Sequence, residues 1–404
     1  MQEITDLQAT ELNPPMPHST IGMRTAIHNL LPTTQFTRYH PDPNINFQLN
    51  RFLIPGLEKL FSEIGAKIKD FDDWKSQFLT AAYAYEQRGD LGRAARLYRA
   101  AEFFMSSDDP DRRRAADKFI ELFYRTNDNQ FLQRIEIPYE AGHLHGLRLG
   151  SATASRGTIL IHAGFDAYVE EFYALAQAIT LCGYEVVMFD GPGQGSTLMR
   201  EKIPMTHEWE KPVGAVLDHL ALIDVTLIGI SLGGYLAVRA GAFEPRIKRV
   251  VAFDVMLDFF QCVTSRRGAI AEVAINALVR LRLGTPLNMM ARSLMKWDLY
   301  SRWGIQQGMH VMGAASPSEY FFKLKAYNNF EVSQRVTQDT LIMGGAEDHF
   351  VPLKQFFDQF PLLINARSVT AQIFTQADQA QSHCQIGNQG LALTQIVSWV
   401  DTHS

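Results

Sequence analysis

Only three cysteines occur in the 404 residues, at positions 182, 262 and 384, and none stands in a CxxC spacing. A disulfide-stapled scaffold and a cysteine metal or redox pair are therefore excluded, and free thiols in a reducing compartment are expected. Long apolar runs are missing as well. The longest uncharged apolar-rich stretch covers residues 225–238 and is broken by Gly and Ser, well short of the ~20 residues that span a bilayer. Positive charge is not in surplus: 38 Lys+Arg against 43 Asp+Glu leave a net charge of −5, which argues against a dedicated nucleic-acid binder. The opening MQEITDLQAT has no basic patch ahead of an apolar stretch, so no secretory leader is expected and the cytoplasm is the expected compartment.

What is present suits a soluble, enzyme-sized protein, with 46% hydrophobic and 20% charged residues and enough length to bury a core without staples. Residues 1–44 hold Pro14, Pro15, Pro17, Pro32, Pro41 and Pro43 and read as an irregular arm. Residues 45–128 read as a helical N-terminal domain. Phe52, Leu53, Leu57, Leu60, Phe61 and Ile64 recur at steps of three and four, and Trp74, Phe78, Ala81, Ala82 and Tyr85 make a second stripe after an N-cap at Asp72-Asp73. The hairpin that turns at Gly89-Asp90 is similar to one tetratricopeptide unit, but no second copy follows at a period of about 34 residues. Residues 88–125 interleave nine basic and seven acidic residues, the pattern of a solvated helix face.

From 129 to 404 short apolar runs alternate with amphipathic stretches, the texture of an α/β protein with a largely parallel sheet. Strands are expected near 131–137, 143–149, 158–163, 185–189, 225–230, 248–253, 340–345 and 368–374. Residues 258–335 interrupt the alternation with helical pattern and read as a cap insertion at the ligand-binding edge of the sheet. Within it, Trp297, Tyr300, Trp303, Met309 and Met312 are candidates for an apolar, adaptable pocket.

Gly229-Ile230-Ser231-Leu232-Gly233 lies directly after an apolar strand and directly before a helix. Strand, sharp turn and helix are the context in which GxSxG forms a nucleophile elbow. A serine hydroxyl needs a general base, and His383, in a polar loop after the last strand, is the best placed. His162 ends a buried strand, His219 lies within a helix, and His349 follows an acid. A carboxylate must then hold the imidazole tautomer. Asp348, in GGAEDHFVP, is the leading candidate, with Glu347 and Asp254 as rivals. For an oxyanion, the N–H of Leu232 and that of Phe165 are expected as donors, with Asp166 next in line. Asp190 and its glycines in FDGPGQGS read as a braced loop, because the GxGxxG dinucleotide pattern is incomplete. Cys384 reads as packing. No cofactor and no metal are expected; a small-molecule substrate is, without nucleic acid or membrane. The oligomeric state stays open, a homodimer included.

GISLGG, FDGPGQG, GGAEDHFVP and FTQADQAQSHCQIGN make the chain from about residue 130 onward resemble an α/β hydrolase. The last of these, behind a helical segment, is similar to a narrower group. That group includes acylaminoacyl-peptidase-like hydrolases, fermentation–respiration-switch esterases, dihydropseudooxynicotine carbon–carbon hydrolase and fungal polyketide-shortening hydrolases. The resemblance implies a mostly parallel eight-stranded sheet, helices roofing the active site, and a triad of nucleophile Ser231, acid Asp348 and base His383 in that family's chain order. A serine hydrolase acting on an ester or amide of a small to medium apolar acyl group is expected. Carbon–carbon hydrolysis of a diketone-like substrate is the alternative, and an inactive binding or scaffold protein a third reading. Where many relatives read His-Gly-Gly, this chain has His162-Ala163-Gly164.

Overall fold

A computed structural model describes residues 21–127, 131–150 and 155–404. The chain divides into two compact units. One holds the described residues up to Gln35 together with Gln133–Gly268 and Leu324–Ser404; the other holds Phe36–Leu132 and Ala269–Lys323.

The first unit is built on eight strands: β1 (Leu132–Tyr139), β2 (Gly142–Leu149), β3 (Thr158–His162), β4 (Glu185–Asp190), β5 (Val225–Ile230), β6 (Ile247–Phe253), β7 (Asp339–Gly345) and β8 (Ser368–Phe374). Their order in the sheet is β1-β2-β4-β3-β5-β6-β7-β8. β2 meets β4 antiparallel, and every pairing from β4 across to β8 is parallel. Helices cover both faces of the central strands, so VTLIGI in β5 is buried at every residue and reads as a continuous apolar run rather than an alternating one. β8, at the edge, is only half buried.

Register places the chemistry. His162 pairs with Gly229, Gly229 with Ala252, and Ala252 with Ile342, so the carboxyl ends of β3, β5, β6 and β7 come out on one edge. β3 continues to β4 on one side while β5 lies on its other side. The edge between β3 and β5 is thus the point where strand order reverses, the usual ligand crevice of open α/β sheets.

The irregular arm expected over 1–44 needs correction within its described part. Ile21–Leu30 is a helix with Ile27 fully buried. The chain after it is pinned to the C-terminal turn: Thr34 and Gln35 N–H both donate to Gly387 O (2.9 and 3.0 Å), and Thr33 Oγ1 donates to Asn388 Oδ1 (3.1 Å). The prolines flank this helix rather than interrupt it. Pro43 opens the next one, Pro43–Phe52, at its first turn behind the N-cap Asp42, where a missing N–H costs nothing. Residues 1–20 of that arm lie outside the described residues.

The second unit is helical. Its hairpin pairs Phe71–Gln87 with Leu91–Glu102, and Trp74 Nε1 donates to Ala100 O across it (2.6 Å). The N-cap is Asp70, not Asp72-Asp73; its carboxylate accepts the N–H groups of both, and the two acids occupy the first turn, where the helix dipole favours them. Nor is the 88–125 charge pattern wholly solvated. Glu102 is buried and accepts from Arg99 Nη1 (2.6 Å) and Arg112 Nε (2.8 Å). Arg112 Nη2 also reaches Gln307 Oε1 (3.3 Å) in the inserted segment. Phe103 stacks on Trp303 at 5.3 Å, so segments nearly 200 residues apart share one core. Trp303 and Met312 are core residues of this unit, while Trp297 is 80% exposed. Among the described residues no helix is long and apolar enough to cross a membrane.

Candidate active site

β5 ends at Ile230 and the helix Leu232–Gly241 begins one residue later. Ser231 spans the join with φ 64° and ψ −126°, a conformation that L residues rarely adopt and that persists only where the surroundings hold it. Here Ser231 N–H donates to Phe253 O at the end of β6 (2.7 Å), and Ser231 O accepts from Gly234 N–H (2.8 Å). The turn is so tight that a Cβ on Gly229 would fall 1.9 Å from Gly233 O. Only glycine fits there.

A relay of hydrogen bonds runs from this serine. His383 Nε2 lies 2.8 Å from Ser231 Oγ, and His383 Nδ1 lies 2.6 Å from Asp348 Oδ2. The other carboxylate oxygen, Asp348 Oδ1, accepts from the N–H groups of Phe350 (2.7 Å) and Val351 (2.9 Å), which fixes the acid's orientation. Burial works against the Asp348 charge, but the facing imidazole and the backbone donors outweigh it and hold the carboxyl below its usual range. Burial likewise disfavours the His383 cation, yet Asp348, aided by Cys384, raises its pKa well above the ordinary value. The ionised Asp348 therefore stabilises the imidazolium that forms when His383 takes up a proton.

The rival residues fall elsewhere, with one exception. Glu347 is exposed, and so is His219. His349 has its imidazole pushed down to about 3, chiefly by burial. His162 is fully buried beside Phe189 and Trp209, and burial lowers it to about 4, so it stays neutral and structural. The exception is Asp254, whose Oδ2 lies 3.4 Å from His383 Nδ1. Both carboxylates meet the same ring.

Facing Ser231 across the crevice, residues 163–165 follow β3. A Cβ on Gly164 would lie 2.7 Å from Leu232 N and 2.9 Å from Ile230 O, so this loop abuts the elbow directly. What holds it is Gln194, a residue that sequence reasoning did not single out. Its Nε2 donates to both Ala163 O (2.6 Å) and Gly164 O (2.9 Å), while its Oε1 accepts from Gly191 N–H (2.9 Å). Gln194 sits inside FDGPGQGS, and the only signal was a polar side chain among glycines. Asp190 braces the same stretch, accepting from Val169 N–H (3.1 Å) and Ser196 N–H (2.7 Å). Phe165 packs edge-on against Phe259 at 5.3 Å, and Phe350 packs against the His383 ring at 5.1 Å.

Among the described residues, Asp254, His383 and Cys384 bring three ligand-type atoms within 4.8 Å of one another. Their donors are already engaged. Both ring nitrogens of His383 have partners, and Asp254 accepts from Cys384 N–H and Gln385 Nε2. The cluster is a hydrogen-bonded brace rather than a cation site.

Comparison with known proteins agrees with this architecture. The model of the alpha/beta hydrolase family matches residues 143–370. Hydrolase acrC of Aspergillus aculeatus is 31% identical over 295 residues, 65% of this chain and 68% of acrC. The 20-hydroxy-prefusarin hydrolase FUS2 of Gibberella moniliformis is 29% identical over 330 residues, 71% of this chain and 77% of its own. Two solved structures share the fold. AbyA5 has a TM-score of 0.67 at 18% identity, covering 89% of this chain and 95% of its own. The 2,6-dihydroxy-pseudo-oxynicotine hydrolase has a TM-score of 0.57 at 17% identity, covering 94% and 95%. With the family matched over more than half its length, this chain belongs to the alpha/beta hydrolase family.

Proposed function

We propose that the protein is a serine hydrolase that cleaves an ester or amide of a small to medium apolar acyl group through an acyl-enzyme. The observation that carries this reading is the unbroken relay from Ser231 Oγ to His383 Nε2 (2.8 Å) and from His383 Nδ1 to Asp348 Oδ2 (2.6 Å). Ser231 Oγ attacks the acyl carbon while its proton passes to His383. The new C–O bond leaves negative charge on the former carbonyl oxygen, which the N–H groups of Leu232 and Phe165 receive. Gln194 supports that role. It holds the Gly164 carbonyl, and in a trans peptide the following N–H points the opposite way. His383 then protonates the leaving group as its bond to the acyl carbon breaks. In the second half it takes a proton from the water that attacks the acyl-enzyme and passes it to Ser231 Oγ as the acyl C–Oγ bond breaks and the acid departs. The rings of Phe165, Phe259 and Phe350 beside these groups favour an apolar acyl portion.

A fluorophosphonate probe tests the mechanism. Stoichiometric phosphonylation of Ser231 is the expected result, read by mass spectrometry of the tryptic peptide. A folded protein that stays unlabelled would sink the proposal. A panel of acyl esters, acyl amides and diketones then sorts the bond cleaved; turnover confined to diketones would replace acyl transfer with carbon–carbon hydrolysis on the same residues.

Gly164→Ala tests the oxyanion assignment separately. The added methyl would lie 2.7 Å from Leu232 N, displacing the loop from the elbow. We expect kcat on an activated ester to fall about 100-fold, the scale of losing one oxyanion donor, with KM little changed. A kcat within twofold of wild type would remove Phe165 from the mechanism.

A further inference from the structure

Asp254 is a buried carboxylate beside the serine that the relay does not consume. It follows β6, one residue after the Phe253 carbonyl that anchors Ser231 N–H (2.7 Å), and its side chain is only 2% exposed. Its two oxygens hold the turn that carries His383. Oδ2 accepts from Cys384 N–H (2.7 Å) and Oδ1 from Gln385 Nε2 (2.7 Å). That turn is strained, because Cys384 and Gln385 both have φ 49°, two non-glycine residues in succession in the left-handed region. Such a pair persists only when its surroundings over-determine it, and hydrogen bonds to an ionised acceptor are the strong kind. The turn is also tied by His383 Nδ1 to Asp348 Oδ2 (2.6 Å) and by Gln385 N–H to Ser382 O (3.0 Å), but among the described residues Asp254 alone bonds both of its left-handed residues.

We propose that Asp254 is a positioning residue for the hydrolytic reaction: it clamps the strained 383–385 turn so that the imidazole stays aimed at Ser231, and its charge biases the proton on that ring. This rests on the serine-hydrolase reading above. The charge acts at 3.4 Å from His383 Nδ1. Burial pushes the Asp254 carboxyl up to about 7, against the pull of His383 and with Asp348 adding to the rise, so it exchanges its proton near neutrality. The titratable groups that face it are His383 and Cys384 on the turn and Asp348 beyond the ring; His349 and the Cys262 thiol stand behind Asp348. While ionised, Asp254 favours the imidazolium and keeps the base protonated to higher pH.

The test is the rate of Ser231 phosphonylation by a fluorophosphonate against pH, with folding followed by circular dichroism and Tm. Asp254→Asn offers an amide N–H where a donor already points and removes the charge. Its plateau rate is expected to fall about 100-fold, the cost of a small misplacement at the reacting centre. Its acid limb should move about one pH unit lower, the effect of losing an anion at this range. Gln385→Leu removes one arm of the clamp and a donor that holds the Asp254 pKa down, so its plateau should fall while its acid limb moves less than that of Asp254→Asn. A folded Asp254→Asn with a wild-type plateau or an unmoved acid limb overturns the proposal. If Asp254→Asn does not fold, Gln385→Leu decides, and an unchanged plateau overturns it. An unlabelled wild-type protein is a different result, which removes the serine reading itself.

Discussion

Ser231→Ala lowers kcat on any substrate the protein turns over by at least ~10⁴-fold and abolishes fluorophosphonate capture, while KM and the fold stay near wild type. The size follows from how such residues act. Removing the nucleophile of a triad disables the whole relay, and only oxyanion and binding contributions survive. Stability responds on a smaller scale. Alanine forfeits the hydrogen bond to His383 Nε2 (2.8 Å), about 1 kcal/mol, and inherits the strained φ of 64°. Ser231→Gly relaxes that strain and should melt higher than the alanine variant, yet be equally inactive. Steady-state kinetics with thermal melts check both statements. An alanine variant that keeps more than about 1% of kcat would mean the relay is not the catalyst.

Asp348→Asn lowers kcat by about 10⁴-fold, because it reverses a proton. The two backbone donors at 350 and 351 fix which oxygen they meet, so the asparagine amide takes the place of Oδ2 and points its N–H at His383 Nδ1. That nitrogen must then be the acceptor, which puts the ring's proton on Nε2, facing a serine it can no longer deprotonate. Asp348→Ala is expected to lose less than Asp348→Asn, since Asp254 at 3.4 Å can still accept from Nδ1–H. Glu347→Gln, changing an exposed side chain one residue away, should be neutral. The pH profile supplies a second readout. Asp348 raises the His383 pKa, so its loss moves the acid limb of kcat/KM to lower pH. The measurement is kcat and kcat/KM across pH for the three variants. Equal losses for the alanine and asparagine forms would count against a tautomer role.

Much of the first unit could be read from the chain because adjacent residues decide it. Glycines flanking a serine between an apolar strand and a helix force a sharp bend whatever the rest does. The β8 limits 368–374 follow from the polar residues on either side. The placement of Asp348 and His383 at the ends of late strands was legible for the same reason, but their distances were not. Asp254 could be named only as a rival to Asp348. That it shares the same imidazole depends on the 128 residues of intervening chain returning to β6.

The helical unit shows where local pattern stops informing. Charges over 88–125 looked solvated because interleaved signs usually are, yet Glu102 is enclosed by Arg99 and Arg112, and a buried ion set of that kind forms only when several helices close around it. Trp303 carried no mark distinguishing a pocket wall from a core, since both demand a large apolar ring. The helix Ile21–Leu30 was hidden for a related reason: its stability comes from docking Ile27 rather than from its own periodicity. By itself, then, the sequence determined where the strands lie along the chain, the elbow and which residues stand at the sheet's carboxyl edge, because those rest on short-range sterics and alternation. Only the tertiary structure decided that two carboxylates share one ring, that Gln194 holds the loop beside Leu232, and that residues 36–132 and 269–323 form one unit, because each depends on contacts between segments distant along the chain.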